Sequence, residues 1–189
     1  YEPPMYKEEY LAMVDELAGT PVDAIMLSSE TSVGQFPLMC VEAMDRIARR
    51  MECEDGARFY EEAVLSDERQ KLAKAAVQMA DDMGARALVV FTVEGKMVPE
   101  SAWMRPREAN IMALCPSERV AGEMSLYRAV VPIVMEAVHS ELPAEEEVEA
   151  ALETLKEKAL LKSGDTVVVI SSHLAVGEIA DSVQMHRVS

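Results

Sequence analysis

Four short runs of almost unbroken apolar residues constrain this chain more than anything else in it: A-L-V-V-F at 87–91, I-M-A-L-C at 111–115, V-V-P-I-V at 130–134 and T-V-V-V-I at 166–170. A strand with one wet face alternates apolar and polar residues. A continuous run instead demands cover on both faces, the signature of a parallel sheet between helical layers. The intervening segments supply the helices. Leu72, Ala73, Ala76, Val77 and Ala80 recur at helical spacing before Gly84, and further helices are expected ahead of Arg105-Pro106, over 119–127 and over 148–161. Residues 183–188, V-Q-M-H-R-V, alternate and suit an edge strand. The class is α/β, and the three-layer domain is expected over 68–189.

Ahead of it, 56–67 is a charged connector with a helical turn expected near 57–64, and 1–55 reads helix, strand, helix. Tyr10, Leu11, Val14 and Leu17 mark the first helix, stopped by Gly19-Thr20-Pro21. Residues 23–28 predict a buried strand. Leu38, Val41, Met44, Ile47, Ala48 and Met51 mark a second helix ending in Arg46, Arg49 and Arg50, the sign its dipole favours. Met39, Met44, Met79 and Met83 fall at helical spacing and are expected as core filler.

Charge and composition remove whole classes of function. With 34 acidic and 18 basic residues the formal charge is −16, the wrong sign for a phosphate backbone, so no nucleic-acid partner is expected. The longest apolar run, 129–135, is seven residues and holds Pro132, far short of a membrane span. Cys40, Cys53 and Cys115 are odd in number and widely spaced. A disulfide framework is not expected, and a reducing, cytoplasmic setting is. The start, Tyr1-Glu2-Pro3-Pro4, carries no signal-peptide pattern and no initiator Met, as expected of a piece of a longer protein or of a processed chain.

The eight glycines are too dispersed for a dinucleotide fingerprint or a Walker loop. No C-x-x-C, H-E-x-x-H or nucleophile elbow is present, and His139, His173 and His186 are scattered, so no metal site is expected. The run Glu145-Glu146-Glu147 reads as a helix N-terminus rather than a calcium loop, because its ligands do not alternate.

Two stretches carry a family resemblance. Residues 23–37 contain D-A-I-M-L-S-S-E-T-S-V-G and then Phe36-Pro37, which resembles the segment of pyruvate kinases written D-A-V-M-L-S-G-E-T-A-x-G-x-Y-P. Asp23, Ala24, Met26, Leu27, Ser28, Glu30, Thr31, Gly34 and Pro37 match, and Ser29 replaces the family's glycine. Downstream, G-A-R-A-L-V-V-F-T at 84–92, Arg105-Pro106, L-Y-R-A-V-V-P at 126–132 and K-S-G-D-T-V-V-V-I at 162–170 resemble the C-terminal α/β domain of the same family, in the same order.

The resemblance implies a five-stranded sheet of order 3-2-1-4-5 with strand five antiparallel, preceded by a βα remnant of a TIM-type barrel. It implies the C-terminal, assembly and regulatory portion of an enzyme that transfers phosphoryl from phosphoenolpyruvate to ADP in glycolysis. A stand-alone module binding a phosphorylated ligand or a protein partner is the alternative. It places Ser28, Glu30 and Thr31 at the barrel mouth. The family's lysine, arginine, metal-binding carboxylates and threonine come from other barrel strands, so this chain is expected to be inactive alone and to bind no cofactor. Magnesium and potassium are implied only for a full-length enzyme.

In an open parallel sheet the ligand crevice lies where the strand order reverses, here between strands one and four. The loops expected there are 92–98 and 171–177, offering Thr92, Gly95, Lys96, Ser171, Ser172 and His173 to a phosphorylated effector. The family writes T-x-S-G-x-S/T in the first loop, and this chain puts Glu94 where the serine stands. A carboxylate there opposes a phosphate, so weak effector binding is expected. The unpaired edge strand and the apolar faces of 1–55 predict a homo-oligomer.

Overall fold

The computed structural model describes residues 23–52, 59–135, 144–175 and 178–189. The chain divides into two compact units, Tyr1–Asp55 and Gly56–Ser189.

In the first unit, α1 (Ser29–Ser32) and α2 (Pro37–Glu52) follow a lead-in without regular secondary structure. The strand expected at 23–28 does not form. Those residues are in no ladder, and most are exposed, Met26 at 87%. A strand exists only by hydrogen bonding to a neighbour, and no described strand of this unit offers one. The α2 face is likewise only partly covered. Ala43 and Ile47 are buried, whereas Leu38 and Val41, expected in the core, are exposed. The helix expected near residues 7–17 lies outside the described residues.

The second unit opens with α3 (Phe59–Glu62) and α4 (Glu68–Asp82). The Asp67 side chain caps α4 by accepting the Gln70 N–H at 2.9 Å. Then β1 (Ala87–Phe91), α5 (Met97–Trp103), β2 (Asn110–Cys115), α6 (Glu118–Met124), β3 (Val130–Val134), α7 (Ala144–Glu157), β4 (Thr166–Ala175) and β5 (Glu178–Arg187) follow in turn. The sheet order is β3-β2-β1-β4-β5, with every pair parallel except β4–β5.

Alternation along the strands feeds two cores. Leu88, Val90, Ile111, Ala113, Val168 and Ile170 pack with Val77 of α4, Val98 of α5 and Val120 of α6. Ala87, Val89, Phe91, Leu114, Val167 and Val169 pack with Val148, Ala151 and Leu155 of α7. Both faces are therefore dry, which is what the unbroken apolar runs require.

Three sequence expectations differ in extent. The helix expected to reach 161 stops at Glu157, because Ala159 takes a left-handed φ of 56° and turns Leu160 and Leu161 back, their N–H groups donating to the Leu155 carbonyl. Met83, expected as core filler, sits exposed in the turn after α4. The edge strand begins at Glu178 rather than 183, since β4 is equally long and pairs with it along its whole length.

Candidate functional site

The strand order reverses between β1 and β4, and the loop leaving β1 there is short. Thr92 is buried, and its N–H donates to the Leu114 carbonyl at 3.1 Å, so it prolongs the sheet. Gly95 is buried with φ +77°, and a Cβ there would stand 2.6 Å from Met124 Cε. Both conditions call for glycine, one through the backbone and one through the close approach of α6. Glu94 and Lys96 flank it and form an ion pair with each other, both side chains well exposed. The Lys96 hydrogen bond and then its charge hold the Glu94 carboxyl below the ordinary carboxylate range. The loop thus spends its one lysine on its own carboxylate.

The second loop expected at the crevice is largely not a loop. β4 continues to Ala175, so Ser171, Ser172 and His173 stand in the β4–β5 ladder opposite Ser182, Asp181 and Ala180. Serines gave the segment a loop-like look, but an antiparallel partner satisfies the backbone all the same. Residues 176–177 lie outside the described residues. Ser171 is buried, and its hydroxyl is within 3.0 Å of the Ser182 hydroxyl. The Gln184 amide donates to that same Ser182 oxygen at 3.2 Å, and the Gln184 carbonyl oxygen is 2.9 Å from His186 Nε2. Ser171 is therefore engaged within the sheet. Ser182, Gln184 and His186, one face of β5 by alternation, were missed in the sequence because their role appears only with the register.

In the first unit, the Ser28 carbonyl accepts the Thr31 hydroxyl at 3.0 Å and the Thr31 and Ser32 N–H groups at 3.2 Å. The Glu30 carboxyl is held below its ordinary range by the backbone N–H groups of Glu30 itself and of Ser28. Gly34 is required by contact. Its N–H donates to the Ser29 carbonyl, and a Cβ would stand 2.1 Å from the Glu30 carbonyl oxygen. Ser28, Glu30 and Thr31 are thus brought together, closing a turn and a short helix.

Among the described residues no group of three or more His, Cys, Asp or Glu is placed to hold a metal ion. No described helix is long and apolar enough to cross a membrane.

A family model described as pyruvate kinase, alpha/beta domain, matches residues 70–185. The pyruvate kinase of Thermotoga maritima is 30% identical over 155 residues, which are 79% of this chain and 31% of that protein. Plastidial pyruvate kinase 3 of Arabidopsis thaliana is 34% identical over 153 residues, 79% of this chain and 26% of that protein. Among solved structures, a pyruvate kinase from Cryptosporidium parvum superposes with a TM-score of 0.78 at 25% identity, covering 97% of this chain and 36% of that one. A Cryptosporidium parvum pyruvate kinase in complex with ADP gives 0.75 at 24% identity, a likeness of fold. The chain spans about a quarter to a third of the length of these curated relatives.

Proposed function

The chain belongs to the pyruvate kinase family and matches its C-terminal portion; on that premise we propose that it serves assembly and regulation of a glycolytic phosphotransferase and carries no phosphoryl transfer of its own. Phosphoryl transfer needs a complete set of positioned charges around two phosphates. Of the residues that match the family's barrel mouth, the Thr31 hydroxyl and the Glu30 carboxylate bond to the backbone of their own turn, and Ser28 enters it through its carbonyl. No step through magnesium or potassium is assigned to them. A cytoplasmic setting, with Cys40 and Cys115 as thiols, goes with the same reading.

The observation that carries the assembly role is the outer edge of β5. The two edges of the sheet differ. β3 carries Pro132, which cannot donate to a further ladder, whereas the ten residues of β5 contain neither proline nor lysine and expose Met185. An edge of that length favours pairing with another copy in a closed, symmetric oligomer. Sedimentation velocity across a hundredfold concentration range is expected to show a dimer or larger species, with Met185→Lys raising the dissociation constant at least tenfold. A concentration-independent monomer would overturn this reading.

For regulation, Glu94 marks a crevice that receives phosphorylated effectors poorly. Its carboxylate both repels an anion and occupies Lys96. Calorimetry at low salt is expected to find weak sugar-bisphosphate binding by the chain, strengthened at least tenfold in Glu94→Ser. Tight binding by the unaltered chain, or no gain in the variant, would count against an effector role for this loop.

A further inference from the structure

One face of the β4–β5 pair carries a row of polar side chains joined end to end. Val167, Val169 and Ser171 of β4 lie directly across from His186, Gln184 and Ser182 of β5. Val167 and Val169 pack in the core under α7, and by alternation the polar four share their face. The His186 Nε2 stands 2.9 Å from the Gln184 Oε1, and the Gln184 amide nitrogen donates to the Ser182 hydroxyl at 3.2 Å. That hydroxyl is 3.0 Å from the Ser171 hydroxyl. Ser171 is 4% exposed, whereas Ser182, Gln184 and His186 are half-buried. The row thus runs roughly 13 Å along β5, from a half-buried imidazole to a buried hydroxyl. Ser171 follows Ile170, the partner of Val90 near the carboxyl end of β1, so the buried end lies at the crevice.

An amide has a donor end and an acceptor end, so the orientation of Gln184 gives the row a direction. With Oε1 toward the ring, His186 donates from Nε2. Ser182 then receives the Gln184 N–H, and its own proton goes to Ser171, which leaves the Ser171 proton unspent. Turned about, the amide donates to an unprotonated Nε2 and accepts the Ser182 proton, and Ser171 in turn donates to Ser182. This second arrangement uses the buried serine proton, and the proton left over is the Nδ1–H at the half-buried end. A buried hydroxyl without its bond is costly, so a neutral ring favours the second arrangement. An imidazolium carries N–H on both nitrogens and permits only the first.

We propose that Ser171, Ser182, Gln184 and His186 form a proton-operated relay. Charging His186 from solvent sets the row so that Ser171 offers its hydroxyl proton at the crevice, and discharging it withdraws that donor. Histidine is the side chain whose charge changes near neutral pH. The structure holds the direction that the charged ring requires. Charged groups at that end of the row set where His186 titrates. Asp165, two residues before its partner Val167, accepts the Lys162 N–H at 2.8 Å. From α7, Lys156 holds Glu153 and the Ser189 carbonyl just past β5, and Glu149 is exposed one turn earlier. Asp181 and Arg187 alternate to the opposite face of the sheet. The relay depends on neither the assembly reading nor the effector reading.

A pH titration of the isotope-labelled chain by NMR follows both ends of the row. The His186 ring, the Gln184 side-chain amide and the Ser171 Cβ are expected to shift with one common midpoint, the neutral ring carrying its proton on Nδ1. Ser182→Ala is expected to abolish the Ser171 response while His186 still titrates. Asp165→Asn and Glu153→Gln are expected to move the midpoints of His186 and Ser171 together. A Ser171 signal that does not follow His186 would overturn the relay and mean that Ser182 turns its proton to solvent. A neutral ring protonated on Nε2 would overturn it as well, and that result needs no variant to fold. A Ser171 response kept in both Ser182→Ala and Gln184→Leu would assign it to the ring's charge acting through space, and would also overturn the relay.

Discussion

Gly95 and Cys115 show how single residues are fixed by their surroundings rather than by their chemistry. At Gly95, alanine would meet both an unfavourable φ and the end of the Met124 side chain. Since that side chain can swing away, the backbone dominates, and Gly95→Ala is expected to cost about 1–2 kcal/mol in urea unfolding. Cys115 lies fully inside β2, and burial pushes its thiol up from 9.0 to about 11. The folded state therefore resists ionisation that the unfolded chain permits. Stability from this source is complete below pH 9.0 and declines as pH rises toward about 11. Two units correspond to about 2–3 kcal/mol. Cys115→Val should flatten that part of the pH–stability curve relative to the unaltered chain, and parallel curves for the two proteins would contradict it. The thiol should also stay unreactive toward alkylating reagents until the domain unfolds.

Among the elements, the four unbroken apolar runs appear as β1 to β4 because their composition leaves no choice. Val167, Val168, Val169 and Ile170 each need a dry neighbour, and the helices on both faces provide it. What the residues alone could not convey was pairing. The chain order is local, but the arrangement β3-β2-β1-β4-β5 is a non-local fact that came through the family resemblance. The same gap explains the two misread segments. Residues 23–28 have strand composition and no ladder, whereas Ser171-Ser172-His173 have loop composition and a full antiparallel partner. At the candidate crevice, Glu94 stood out in the sequence because it interrupts a motif, while its bond to Lys96 and the bond of Ser171 to Ser182 needed coordinates. Two substitutions test the element picture. Leu155→Ala, emptying the fully buried contact of α7 with the sheet, is expected to cost about 2–5 kcal/mol. Ser171→Ala, removing one hydroxyl contact between β4 and β5, should cost only about 0.5–1.5 kcal/mol. A larger loss at Ser171 than at Leu155 would contradict the account of what holds the sheet together.

For the molecule as a whole, the two units make different demands. The second covers its sheet on both faces and closes its own core. The first leaves Met26, Val33 and Leu38 mostly exposed. The proposed assembling and regulating role starts from a chain that matches the C-terminal part of its relatives and spans about a quarter to a third of their length. The most direct measurement is turnover of phosphoenolpyruvate and ADP by the purified, folded chain, with magnesium and potassium present and a heat-denatured sample as control. The account predicts pyruvate and ATP formation no faster than in the denatured control. Magnesium- and potassium-dependent turnover above that control, lost on unfolding, would contradict it.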